Sequence, residues 1–227
     1  MVEILKVRTG SFLYGTNDEN SDTDVKSVFF PNKEYILGIS NITHVDKSVV
    51  AKDDNNKNTK DAIDYTAYEY RNFINLLYKG NPNLIEMLFV NDENILHIDD
   101  FGKNLIAVRG LFLSKHLIKS IIMFSNNLYN KCLNKFDSKG AYTSYRMSSQ
   151  AIELLLDNKI VYPLKESTIL KSIKNNEIPI DKVYEMLYNN IKKAEELLHK
   201  SNLRETSDLS AINNFCIREV EKWLRLR

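Results

Sequence analysis

The sequence predicts an α+β fold: a short mixed sheet with flanking helices over residues 1–104, then an all-helical segment over 105–227. Two observations carry this reading. In the first half, short apolar or alternating runs are closed by Pro-, Gly- and Asn-containing stretches, as strands are. From Leu105 onward apolar residues recur at the 3.6-residue period of amphipathic helices.

Residues 2–8 alternate roughly and read as a first strand. VKSVFF at 25–30 is an apolar strand stopped by Pro31. Residues 36–54 form a second strand-rich region, and the polar run at 53–61 reads as a hairpin tip or mobile loop. AIDY then gives a short strand ending near Tyr65. Thr66 and Glu69 have the spacing of a capping box, with Thr66 as N-cap. The helix behind it places Tyr70, Phe73, Ile74 and Leu77 on one face, and Gly80-Asn81-Pro82 ends it. Residues 83–90 are a short helix or strand. Helical periods follow at 105–134, 140–159, 166–175, 181–200 and 208–226. Tyr162-Pro163 and the Pro179 segment separate some of them. KWLRLR, with Trp223, reads as a packed terminal helix.

Hydrophobic residues make up 43% of the 227-residue chain and charged residues 27%, which is ordinary for a globular protein. A formal charge of +1 gives no global pull toward nucleic acid or membrane, although a local basic patch is compatible with it. No apolar run reaches the length of a membrane span, and the N-terminus lacks the pattern of a secretory leader, so the expected location is the cytoplasm. Cys132 and Cys216 lie far apart and read as free structural thiols. His44, His97, His116 and His199 lack ligand spacing, which argues against zinc.

The stretch GSFLYGTNDENSDTD at 10–24 carries the chemistry. Asp22 and Asp24 are two apart at the head of a strand, so their carboxylates share one side. They repel unless a cation lies between them. Mg²⁺ suits such oxygen donors and keeps substrate phosphates in its shell. The plainer reading of a lone DxD is an acidic strand edge. Asp18, Asn20, Asp22 and Asp24 also have calcium-loop spacing, but Thr23 and Phe29 stand where such a loop needs Gly and Glu. Gly10 permits close backbone approach to a phosphate, Ser11 adds a hydroxyl donor, and a helix beginning there would favour an anion. No P-loop motif occurs in the chain.

Gly10-Ser11, Tyr14-Gly15-Thr16 and Ser21-Asp22-Thr23-Asp24, followed by the 25–30 strand, resemble the signature of the polymerase β-type nucleotidyltransferases. With Lys79-Gly80-Asn81-Pro82-Asn83 and Glu86, the chain most resembles a bacterial and phage branch associated with RNA repair. The resemblance covers residues 8–90 and extends weakly through SYRMSSQAIELL at 144–155. It implies that 1–104 is a nucleotidyltransferase domain and 105–227 a helical domain. It implies transfer of a nucleoside monophosphate from an NTP, ATP included, to a hydroxyl, with Mg²⁺ or Mn²⁺ and release of pyrophosphate. The acceptor it implies is an RNA 3′ end, a protein side chain or a small molecule; no membrane partner is expected.

The resemblance also implies site residues. Gly10, Ser11 and Tyr14 would bind the nucleotide. Asp22, Asp24 and a third acid on a later strand would bind metal and carry catalysis. That third acid is Asp64, with Asp61 the competitor. Arg146 and Tyr142, in the helical half, would reach phosphate and base. Tyr142, Tyr145 and Ser149 fall near one helix face, which a core stripe explains equally well. Lys79, Asn81 and Glu86 either line the acceptor side of the cleft or form a helix end and turn. Arg71 falls on the polar face of its helix. A different class of function, a non-catalytic nucleotide-binding or antitoxin-like regulatory module, is the alternative. A metal-dependent nuclease shares the carboxylates but has no use for the Gly-Ser turn.

Overall fold

The computed structural model describes residues 1–53 and 59–226. Most of the polar tip expected at 53–61 lies outside the described residues. Five strands form one mixed sheet: β1 (Val2–Arg8), β2 (Thr23–Phe30), β3 (His44–Asp46), β4 (Ile63–Glu69) and β5 (Ile95–Ile98), in the order β3-β4-β2-β1-β5. β2 and β4 run parallel; the other pairs are antiparallel. β2 is central and covered on both faces, and for that reason VKSVFF is a continuous apolar run rather than an alternating one. One face meets the main core through Val28 and Phe30. The other packs Val25 and Phe29 against Tyr65, Ala67, Ile42 and Val45.

Nine helices are present among the described residues: α1 (Gly10–Tyr14), α2 (Lys33–Leu37), α3 (Tyr70–Tyr78), α4 (Asp100–Ala107), α5 (Lys115–Asn134), α6 (Ser138–Asp157), α7 (Ser167–Lys174), α8 (Ile180–Lys200) and α9 (Leu209–Arg225). The expected buried face of α3 is as observed, with Tyr70, Phe73, Ile74 and Leu77 all inside.

Several boundaries differ from the sequence reading. Thr66 is no N-cap. β4 continues through Glu69 because every residue from 63 to 69 pairs with β2. Glu69 caps α3 instead, its side chain accepting from Asn72 N at 2.8 Å. Its other oxygen takes Arg71 Nε at 2.8 Å, and Arg71 also donates to the Tyr35 and Ile36 carbonyls, so it is a structural tie. The 36–54 region holds the end of α2, the three-residue β3 and an isolated bridge at Val49. The period at 105–134 conceals a break. α4 ends at Ala107, a 3-10 turn spans Arg109–Phe112, and Ser114 caps a new helix by accepting from Leu117 N at 3.3 Å. Residues Ile85–Leu88 form a 3-10 turn.

Helices α5, α6 and α8 make the body of the C-terminal half. α9 returns to the sheet, where Trp223 stacks on Phe30 with ring centres 4.7 Å apart and 13° between planes. One apolar cluster therefore runs from Ile4 to Trp223. Cys132 is a buried free thiol and Cys216 a half-buried one. None of the described helices is long and apolar enough to cross a membrane.

Candidate active site

Strand pairing brings the acidic residues together. Asp24 and Asp64 are direct partners across the parallel β2–β4 ladder, so their side chains leave the sheet on the same face. Asp22 is two residues earlier on the β2 side. Asp61 is exposed in the turn before β4. Burial, then the charges of Asp22 and Asp64, push the Asp24 carboxyl up to about 6, with Lys26 acting in the opposite direction. Among the described residues no three acidic, imidazole or thiol groups lie close enough together to hold a metal ion by themselves. The donor set is an open face of hard oxygens. Such a face suits Mg²⁺, which takes one or two carboxylates and completes its shell with phosphate and water.

The Gly-Ser turn lies against these carboxylates. Thr9 N donates to the Asp24 carbonyl at 2.8 Å, which docks the start of α1 on the head of β2. Gly10 has φ +63°, and a Cβ on it would lie 1.7 Å from Asp24 Oδ2. Only glycine leaves room for that carboxylate. Ser11 Oγ is buried and has no hydrogen-bond partner among the described residues. An unmet buried hydroxyl is costly in a native protein. Gly15 closes α1 in the left-handed region, where a Cβ would come within 2.7 Å of Pro163 Cβ. The turn that carries the signature is thereby fitted to the C-terminal half.

Behind this face lies a buried ionic cluster centred on Glu86, which is 2% exposed. Tyr14 Oη donates to Glu86 Oε2 at 2.6 Å, Lys26 Nζ to Oε1 at 2.8 Å, and Arg146 Nη1 approaches Oε2 at 3.4 Å. Burial alone would raise the Glu86 carboxyl, but Lys26 and Arg146 outweigh it and hold the group below its ordinary value. The Arg146 guanidinium also lies 4.4 Å over the Tyr14 ring and donates to Gln150 Oε1 at 3.0 Å. Gln150 in turn donates to Tyr162 Oη at 3.0 Å. Tyr142 Oη shares a hydrogen bond of 2.8 Å with Thr16 Oγ1.

Gly10, Ser11, Asp22, Asp24 and Asp64 thus meet at one end of β2 and β4. Tyr14 and Arg146 lie under that face, packed on each other and on Glu86. Tyr142 is half-buried beside the signature turn. Lys79 and Asn81 stay in the turn after α3, with the Lys79 carbonyl against His116. Lys26 is the residue that motif reading passed over. Strand parity could have found it, because it stands two residues beyond Asp24 on the same face. Surface cavities lie elsewhere, among them one of about 530 Å³ beside Lys115, Lys119 and His199 and one of about 370 Å³ between α3 and α9.

An uncharacterised 38.9 kDa protein from the nrdC–mobD intergenic region of Enterobacteria phage T4 is 37% identical over 102 residues, 44% of this chain. The aligned stretch is 29% of the phage protein's length. A crystal structure of a nucleotidyltransferase-like protein from Exiguobacterium sibiricum aligns over 87% of this chain and 69% of its own, at 6% identity and a TM-score of 0.33. The family model described as the RNA repair pathway DNA polymerase beta family matches residues 2–205. That span takes in the Gly-Ser turn, Asp22, Asp24, Asp64 and the α6 arginine, and the chain is a member of this family of polymerase β-like nucleotidyltransferases.

Proposed function

We propose that the protein is a nucleotidyltransferase that moves a nucleoside monophosphate from an NTP to a hydroxyl acceptor and releases pyrophosphate. The observation that carries this reading is the register of Asp24 with Asp64, on one face, beside the Gly10-Ser11 turn. Residues 1–104 form the catalytic part and 105–227 the helical part that closes on it. Asp22 and Asp24 would hold Mg²⁺ (or Mn²⁺) together with the triphosphate, and Asp64 would complete the site on the acceptor side. The metal, when bound, neutralises phosphate charge and favours ionisation of the acceptor hydroxyl.

The chain's own groups do the positioning. The backbone at Gly10 and the Ser11 hydroxyl donate to phosphate oxygens. The acceptor oxygen bonds to the α-phosphorus as the α–β phosphoanhydride bond breaks. The hydroxyl proton passes to a carboxylate on the acceptor side, where Asp64 is exposed and available. The family's link to an RNA repair pathway supports an RNA end as the acceptor.

The test is transfer of α-³²P label from each NTP, with Mg²⁺, to total RNA, to protein or to small hydroxyl compounds. Label on an acceptor with pyrophosphate release supports the reading. Nucleotide binding without transfer to any of them points to a regulatory module instead. Asp64→Ala should retain nucleotide binding and lose about 10²–10⁴ in transfer rate. Asp61→Ala should retain both. The reverse result would move the third ligand to Asp61.

A further inference from the structure

The buried Glu86 cluster is larger than packing alone requires. One carboxylate takes a phenol from α1, an ammonium from β2 and a guanidinium from α6. Burying such a group is expensive, and well-packed apolar side chains would hold these elements together at least as well. What an apolar replacement could not do is fix a cation at a chosen place. Lys26 is held at two acceptors, Glu86 Oε1 and the Asn83 carbonyl, both at 2.8 Å. An ammonium has three donors, so among the described residues one is left uncommitted. The Lys26 side chain is 22% exposed, whereas that of Glu86 is 3% exposed. Lys26 therefore stands between the buried anion and the open carboxylate face that begins two residues earlier at Asp24.

We propose that Lys26 is a further triphosphate-binding residue of this cleft and that Glu86 is the positioning residue that aims it. The proposal rests on the nucleotidyltransferase reading and deepens it. A lysine on a flexible four-carbon stem would otherwise fold onto Asp22, Asp24 and Asp64 and compete for the site. Anchored at two acceptors, it offers its remaining N–H and its charge to a phosphate oxygen instead. Arg146, on the far side of Glu86, compensates the same anion, so the anchor does not consume the whole charge of Lys26.

The experiment is calorimetry of a non-hydrolysable NTP with Mg²⁺ on the full chain, with thermal melts alongside. Lys26→Gln should weaken binding roughly ten- to hundredfold, the range of a lost charge-assisted hydrogen bond. Lys26→Arg, which keeps the charge, should recover most of that affinity. Glu86→Gln should weaken binding less than Lys26→Gln and add almost nothing in the Lys26→Gln background, because it acts through the same ammonium. Should Glu86→Gln fail to fold, the Lys26 pair decides the matter alone. Wild-type affinity in folded Lys26→Gln overturns the proposal and leaves the nucleotide reading standing. A wild-type chain that binds none of the four nucleotides overturns the nucleotide reading, and this proposal with it.

Discussion

Asp24 is the residue on which the charges at this end of β2 and β4 converge. Gly10 presses on its carboxylate, Asp64 faces it across the ladder, and Lys26 follows it on the same side. Its carboxyl is raised from 3.8 to about 6, chiefly by burial and then by Asp22 and Asp64. The folded chain therefore holds this proton more tightly than the unfolded chain. The resulting stabilisation is full below pH 3.8 and is lost as pH rises through about 6. Asp24→Asn removes the ionisation. In metal-free buffer its melting temperature, relative to wild type, should rise between about pH 4 and about pH 8 and exceed wild type at the upper end. Mg²⁺ with an NTP should then stabilise the wild type and not the variant. A melting-temperature difference that stays constant with pH would show that Asp24 does not carry this strain. The sequence displayed Asp22, Asp24, Gly10 and Ser11 because they sit within one short motif. It did not display the direct contact between Gly10 and Asp24, which arises only when α1 docks on β2.

At the scale of elements, the start of α3 shows how pairing overrides a local signal. Thr66 and Glu69 have capping-box spacing, yet the ladder with β2 takes Thr66 into a strand and leaves the cap to Glu69. Glu69→Ala should cost about 0.5–2 kcal/mol for the lost cap, and more where the Arg71 tie to α2 goes with it. Thr66→Ala should cost less than about 1 kcal/mol, the span of strand propensity. Urea unfolding of both variants checks the order. If Thr66→Ala proved the more damaging, the helix would begin where the spacing places it. The same competition explains the break in the 105–134 period. The apolar spacing continues through it, but Ser114, 1% exposed, caps a second helix and also receives a 3.3 Å hydrogen bond from Ser207 Oγ. Periodicity cannot reveal that a chain has turned a corner.

For the molecule as a whole, α9 is the element that joins the last residues to the first. Trp223 stacks on Phe30 and meets Phe101 edge-on with ring centres 5.8 Å apart. Trp223→Ala should cost about 3–5 kcal/mol, as large-to-small core changes do. Because one apolar cluster includes both Phe30 and Trp223, the loss should shift the urea transition of the sheet and the helices together. Far-UV circular dichroism and tyrosine fluorescence, followed in parallel on the variant, would separate if only the terminal helix had loosened.

The sequence by itself determined the strands around the signature, the buried face of α3, the helical second half and the family resemblance. Each of these is written in short-range patterns: alternation, a 3.6-residue period, or a motif within fifteen residues. The tertiary structure alone decided that Asp64 stands in register with Asp24, that Glu86 turns inward, and that Tyr14 and Arg146 meet at Glu86. Glu86 and Arg146 are separated by 60 positions and Tyr14 and Glu86 by 72. No local pattern encodes such a meeting. It follows from the parallel β2–β4 pairing and from α6 packing across the signature turn, and the burial it creates gives these ordinary charged side chains their altered chemistry.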